Sequence, residues 1–93
     1  MWQVTDRWGN QIELTDERWS YICYWHPDLA DHLASVLATL RHGKRRQDVV
    51  EPQKYVYLLP VDELLPDYNM VLVAVRLVRN NFVVTAYPKL IKE

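Results

Sequence analysis

The hydrophobic pattern of this chain changes its period after Gly43, and that change limits the possible folds more than any other feature. Between Thr15 and Gly43 apolar residues recur at helical spacing, and from Asp48 onward they recur at every second residue. The clearest helical pattern consists of Leu29, Leu33, Val36, Leu37 and Leu40. The alternating pattern predicts strands over residues 55–59, 70–79 and 82–87. This order predicts an α+β domain in which two helices pack on one face of an antiparallel sheet.

The first residues predict a β-hairpin that precedes the helices. Val4 on one side, and Ile12 with Leu14 on the other, flank residues 6–10, which end in Gly-Asn. Glycine and asparagine tolerate a positive φ angle, as hairpin turns require. We therefore expect an N-terminal hairpin.

Three residues mark the helix boundaries. Thr15 is a good N-cap for a first helix, and Pro27 lacks the N–H that a helix interior needs. His26 should therefore lie at a break, with Pro27 opening a second helix that ends at Gly43.

Length and composition restrict the class of protein. The 93 residues predict a single domain spanning 1–93, and the formal charge of −1 excludes general electrostatic capture of nucleic acid. Cys23 is the one cysteine, which fits a reducing compartment. The longest apolar run, residues 70–75, is far shorter than the roughly 20 residues that span a bilayer, and residues 1–10 lack the apolar core of an export signal. We expect a cytoplasmic protein with no membrane partner.

The last two strands predict a polar patch. If Asn80-Asn81 is a two-residue loop, Arg79 pairs with Phe82 and Arg76 lies opposite Thr85. One face would then be the core, formed by Val71, Val73, Val75, Leu77, Phe82, Val84 and Ala86. The other face would collect groups able to bind an oxyanion: Arg76, Thr85, Tyr87 and Lys89. The alternative is that these side chains only solvate an exposed sheet face.

Other candidate residues allow the same two interpretations. His26 is either a packed histidine or, at a helix junction, a general acid or base. Tyr55 and Tyr57 either fill the core edge or stack on a partner's rings, and core filling is favoured. The basic run that contains Arg45 and Arg46 either contacts phosphates or is a solvated helix end. No sequence motif for a nucleotide cofactor or a zinc site occurs, so we expect neither.

Several of these segments resemble a known group of nuclease-like domains from phages and bacterial mobile elements. The similar segments are residues 15–19, Ile22, His26-Pro27, residues 55–57 and residues 82–88. The group includes barnase, EndoU, the tRNA-cutting colicins and RelE toxins. The resemblance covers nearly the whole chain and implies a RelE-like fold with early helices and a catalytic sheet face.

The resemblance also implies a metal-independent endoribonuclease, a toxin or a phage-associated domain. His26 would be the acid or base, Arg76 the phosphate clamp, and Thr85 with Tyr87 would position or protonate the scissile phosphate. The residues expected to bind RNA are Lys89, Tyr55, Tyr57, Arg45 and Arg46. The implied partners are RNA and a cognate immunity or antitoxin protein.

A catalytically silent, protein-binding module with the same fold is the alternative. Trp25 precedes the His-Pro pair where the group tends to have arginine, and Leu90 lies where further basic residues are expected. A contiguous exposed patch of Trp8, Trp25 and Tyr68 would favour this alternative. A homodimer formed through a sheet edge is left open.

Overall fold

Six strands form one sheet that carries two helices. The computed structural model describes residues 1–61 and 68–91. Its elements are β1 (Trp2–Thr5), β2 (Gln11–Leu14), α1 (Asp16–Trp25), a 3₁₀ turn (Pro27–Leu29), α2 (Leu33–His42), β3 (Lys44–Gln47), β4 (Lys54–Pro60), β5 (Met70–Arg76) and β6 (Phe82–Lys89). The α+β class and the N-terminal hairpin are confirmed.

The strand order is β1-β2-β6-β5-β4-β3. The prediction of a wholly antiparallel sheet was wrong, because β2 runs parallel to β6, with Glu13 opposite Phe82. The sheet is therefore mixed, and this short parallel pairing joins the N-terminal hairpin to the other four strands.

The helix boundaries are partly as predicted. The Thr15 hydroxyl accepts a hydrogen bond from the Arg18 backbone N–H at 3.1 Å, which confirms it as the N-cap of α1. Pro27, however, opens a single 3₁₀ turn, and α2 begins only at Leu33. The helical spacing predicted Leu29 as part of the second helix. In the structure Leu29 belongs to the 3₁₀ turn, where its side chain is buried. No helix in the described part of the chain is long and apolar enough to cross a membrane.

Gly43 ends α2 and permits an immediate change into β3. A Cβ atom at Gly43 would collide with the carbonyl oxygen of Thr39 and lie 2.7 Å from that of Leu58. Only glycine fits this close approach between helix end and sheet. The basic residues that follow, predicted either to contact phosphates or to be a solvated helix end, form the edge strand β3, paired with β4.

The final hairpin has a different register from the one predicted. The strand predicted over 70–79 ends at Arg76, so Arg76 and not Arg79 lies opposite Phe82. Thr85 lies opposite Ala74, and an irregularity between Ala74 and Val75 admits one extra residue on β6. As a result Val83 is buried, whereas Phe82 is 40% exposed. The connection predicted over residues 60–69 is described only at its ends, since residues 62–67 lie outside the described part.

The helices cover one side of the sheet, which we call the inner face. The core contains Ile22, Leu29, Val36 and Leu40 from the helical side, and Tyr57, Val71, Val73, Val75, Val83 and Ala86 from the strands. Because strand residues alternate between faces, their neighbours project to the opposite side, the outer face. The sheet is also curled, since Asp6 after edge strand β1 contacts Arg45 on the opposite edge strand β3.

Candidate functional site

The outer face carries a group of basic side chains around an aliphatic centre. Strand pairing assigns five cations to this face: Lys44, Arg46, Lys54, Arg76 and Lys89. Between them lie Val56, Leu58, Leu72 and Ala74. Among the residues that the structure describes, these cations form one ion pair, between Arg76 and Glu51 at 3.2 Å.

Four acidic side chains of the described residues lie away from this face. Asp16, Glu17, Asp28 and Asp31 all belong to the helical segment from α1 to the residues after the 3₁₀ turn. The near-zero net charge of the chain is therefore compatible with a cluster of basic side chains on the outer face. A local basic patch can attract a polyanion that the charge of the whole molecule does not attract.

A groove of about 200 Å³ lies on this outer face. Its lining residues are Arg46, Val56, Leu58, Leu72, Tyr87 and Lys89. Arg46 and Lys89 are exposed, and Tyr87 is half-buried. The groove thus combines two cations, one phenol and an apolar floor.

His26 lies beside this groove. It ends α1, where its backbone N–H donates to the Ile22 carbonyl oxygen at 2.8 Å, and it also precedes the 3₁₀ turn. The centroid of its half-buried ring is 6.2 Å from that of Tyr87, with 37° between the planes. Two of the four predicted catalytic residues are therefore in contact range.

The other two predicted catalytic residues lie at different distances from this pair. Thr85 is two residues before Tyr87 on the same strand face and is half-buried. Tyr87 pairs with Leu72 on β5. Arg76 lies four residues from Leu72, a distance of about 13 Å along the strand. Arg76 also pairs with Glu51. The cations nearest to Tyr87 in the groove are therefore Lys89 and Arg46.

A second polar cluster lies on the inner side, and its centre is the buried carboxylate of Asp6. This carboxylate accepts hydrogen bonds from the Tyr57 hydroxyl, from Asn10 Nδ2 at 3.0 Å and from Arg45 Nη1 at 3.3 Å. It also accepts from the backbone N–H groups of Trp8 at 2.9 Å and Asn10 at 2.8 Å. Five donors satisfy one carboxylate, so the cluster fixes the hairpin loop to the strands β3 and β4.

The environment of Asp6 alters two pKa values in opposite directions. Burial alone would raise the pKa of Asp6, but hydrogen bonds from Tyr57, Asn10 and Trp8 together lower it below its ordinary value of 3.8. Burial raises the pKa of Tyr57, and the hydrogen bond to Asp6 raises it further. At neutral pH the pair is therefore an ionised carboxylate with a protonated phenol.

Arg45 and both tyrosines of β4 belong to this inner cluster. The Arg45 guanidinium carbon lies 4.0 Å from the Trp8 ring centroid and 4.6 Å from that of Tyr55. Tyr57 is fully buried, and Tyr55 packs against the core. These contacts give the three residues a structural role. Of the residues expected to bind RNA, Arg46 and Lys89 are accessible on the outer face.

The three aromatic residues proposed as one patch have separate neighbours. Trp8 contacts Arg45 and Tyr57, Trp25 contacts Tyr21 and Tyr24, and Tyr68 packs against the core. The grouping of Tyr21, Tyr24 and Trp25 was not predicted, although their i, i+3, i+4 spacing on a helix indicates it.

The comparisons with known proteins found no match for this chain. No family model matches it, and no curated protein or solved structure shows significant similarity to it. Within residues 1–61 and 68–91, no three His, Cys, Asp or Glu side chains come together as a possible metal site. The geometry of the groove and of its neighbours therefore carries the functional interpretation.

Proposed function

We propose that this chain is an endoribonuclease-like domain that binds RNA on its outer face and cleaves it at His26 and Tyr87 without a metal ion. The observation that carries the proposal is the approach of the His26 and Tyr87 rings at the margin of a groove with Arg46 and Lys89. An RNA strand in this groove would meet cations for its phosphates and two groups that can transfer protons.

The proposed reaction is an intramolecular transesterification of the RNA backbone. The 2′ oxygen of a ribose attacks the adjacent phosphorus, and the bond from phosphorus to the 5′ oxygen breaks. His26 accepts the proton of the 2′-hydroxyl, and Tyr87 donates a proton to the leaving 5′ oxygen. The products are a 2′,3′-cyclic phosphate and a 5′-hydroxyl. Proton transfer of this kind contributes typically about 10²- to 10⁴-fold in rate.

The cations act on the phosphate charge. Arg46 and Lys89 lie in the groove with Tyr87, and Thr85 follows on the same face. Positive groups aimed at a developing phosphorane stabilise it in the transition state. Arg76, expected as the clamp, is paired with Glu51 farther along the strand, so we assign it to the RNA path beyond the reacting phosphate.

The proposed nuclease-like fold is consistent with this layout. Two helices cover the inner face, and the four strands β3 to β6 present the basic outer face. This is the arrangement that the resemblance to the barnase, EndoU, colicin and RelE group implies. The parallel pairing of β2 with β6 is a feature of this chain that the resemblance did not imply.

Cleavage is tested with mixed RNA and tRNA in EDTA, using purified wild-type protein, His26→Ala, Tyr87→Phe and Arg76→Ala. We expect cleavage by the wild type, loss of at least about 10²-fold for His26→Ala, and a smaller loss for Arg76→Ala. Products ending in a cyclic phosphate are identified by mass spectrometry.

The matched control is His42→Ala, which removes an exposed histidine at the end of α2. It should cleave like the wild type. Because all variants are purified in the same way, cleavage by a contaminating nuclease would appear in every sample, including His26→Ala. If the wild type binds RNA but leaves it intact for hours, the catalytic part of the proposal is withdrawn and the binding part stands. If the wild type neither binds nor cleaves RNA, the whole proposal fails.

A further inference from the structure

Helix α1 ends in three exposed aromatic side chains that contact one another. Tyr21, Tyr24 and Trp25 are 49%, 70% and 63% exposed. The Tyr24 and Trp25 rings are stacked, with centroids 5.2 Å apart and planes 15° apart, and Tyr21 meets Trp25 edge-on at 6.4 Å. Monomeric proteins seldom leave such groups of large rings exposed without a function.

We propose that Tyr24 and Trp25 form a stacking platform for the unpaired bases of single-stranded RNA, beside the phosphate at which His26 acts as the general base. This inference rests on the proposed function and names its substrate class. Trp25 directly precedes His26, so a base above the Trp25 ring lies within a nucleotide or two of a phosphate at the His26 ring. Stacking on exposed rings accepts any base, and it requires that the base be unpaired.

The contacts within the group prepare it for this role. The Tyr24 and Trp25 rings are already ordered against each other, so less side-chain entropy is lost when a base adds to the stack. The Arg18 guanidinium lies 5.1 Å from the Tyr21 ring centroid and places a positive charge at one end of the group. The phosphates are assigned to Arg46 and Lys89 in the groove, which leaves base stacking as the main attraction at the rings.

The size of the patch favours bases over a protein partner. Three rings of this exposure offer roughly 400 Å², taking about 150 to 250 Å² for each aromatic side chain. A stable protein interface needs about 800 Å² on each partner. A second copy of the chain would therefore need further contacts, whereas two stacked nucleobases fit the area that the rings provide.

The test measures tryptophan fluorescence while a single-stranded, 2′-O-methyl RNA oligonucleotide is added, because this RNA binds but lacks the attacking hydroxyl. We expect quenching in the wild type, loss of most of it in Trp25→Phe, and retention in the matched control Trp8→Phe, whose ring lies in the inner cluster. Tyr24→Ala with Trp25→Ala should weaken binding at least about tenfold, and Trp25→Phe alone should retain most of the affinity.

Cleavage kinetics and the state of association complete the test. With cleavable RNA the double variant should raise KM and leave kcat nearly unchanged, and a blunt duplex should show no difference between variants. If the wild type binds RNA and the double variant binds equally well, the platform is rejected while the proposed function stands. If the wild type binds no RNA, both are rejected. A change in elution volume on gel filtration with unchanged RNA affinity would assign the rings to a protein contact and overturn the inference.

Discussion

Arg45 and Arg46 are neighbours on one edge strand, yet they belong to opposite regions of the molecule. Arg45 projects inward, pairs with Asp6 at 3.3 Å and lies between the rings of Trp8 and Tyr55. Arg46 projects outward into the groove and has no ion pair within the described ranges 1–61 and 68–91. A basic run in sequence thus supplies one structural and one available cation, because strand residues alternate between faces.

The same contrast holds for the two polar regions as a whole. The inner cluster saturates one buried carboxylate with five donors and joins segments far apart in sequence. The outer groove leaves Arg46 and Lys89 accessible beside Tyr87. Substitutions in the inner cluster should therefore change stability, and substitutions in the groove should change RNA binding.

The largest expected effect is that of Asp6→Ala. It leaves Tyr57, Arg45 and two backbone N–H groups without their acceptor, and we expect a loss of about 3 kcal/mol in the free energy of unfolding. Urea denaturation measures this loss. Asp31→Ala, at an exposed position, is the matched control and should stay within about 0.5 kcal/mol of the wild type. A loss below about 1 kcal/mol for Asp6→Ala would remove the distinction between the two regions.

The next effect separates the neighbouring arginines. Arg45→Ala removes the partner of a buried carboxylate and the group packed between two rings, so we expect a loss of about 2 kcal/mol. Arg46→Ala should change stability by less than about 0.5 kcal/mol, since its side chain is exposed. Equal losses for the two variants, measured by thermal or urea unfolding, would show that strand alternation does not divide their roles.

A smaller effect is expected from acid. Because the pKa of Asp6 is lower in the folded state than its ordinary value of 3.8, its contribution to stability is present above that value. The contribution is lost as the pH falls from about 3.8 through the folded-state pKa. Unfolding curves between pH 6 and pH 2 should show this decline in the wild type and a flatter profile in Asp6→Asn. An identical acid profile in both proteins would contradict the role given to the carboxylate.

The smallest change concerns the salt dependence of RNA binding. If Arg46 and Lys89 each neutralise one phosphate, replacing either by alanine should reduce the slope of log affinity against log salt by about 0.7. Lys54 lies on the same face but does not line the groove, so Lys54→Ala serves as the comparison and should have a smaller effect. Slopes unchanged in Arg46→Ala and Lys89→Ala would place the RNA elsewhere.

Local signals predicted much of the fold. The hairpin around Gly9, the Thr15 cap, the end of α2 at Gly43 and strand β4 each follow from a few adjacent residues. Strand β3 was missed because its Lys-Arg-Arg-Gln sequence has no apolar alternation, as an edge strand allows. The register of the last hairpin was missed because β5 ends at Arg76, so that residues 77–81 and not Asn80-Asn81 alone connect the strands, and because one extra residue on β6 leaves no mark in the pattern.

The candidate site was predicted to a similar extent. Alternation correctly indicated that Thr85, Tyr87 and Lys89 share one face, and the break at Pro27 indicated that His26 lies at a helix junction. The Asp6 cluster could not be predicted, because Asp6 contacts Arg45 and Tyr57, which lie 39 and 51 positions away from it in the sequence. Such contacts depend on the curl of the sheet, which short sequence windows do not contain.

The most direct test of RNA binding on the outer face is a titration of the ¹⁵N-labelled protein with uncleavable single-stranded RNA, followed by NMR. We predict that the backbone amide signals of Arg46, Tyr87, Lys89 and His26 shift together, while those of Asp6 and Tyr57 in the inner cluster stay in place. Shifts confined to the inner cluster, or none at an RNA concentration of about 1 mM, a range in which even weak non-specific binding is detected, would contradict the account.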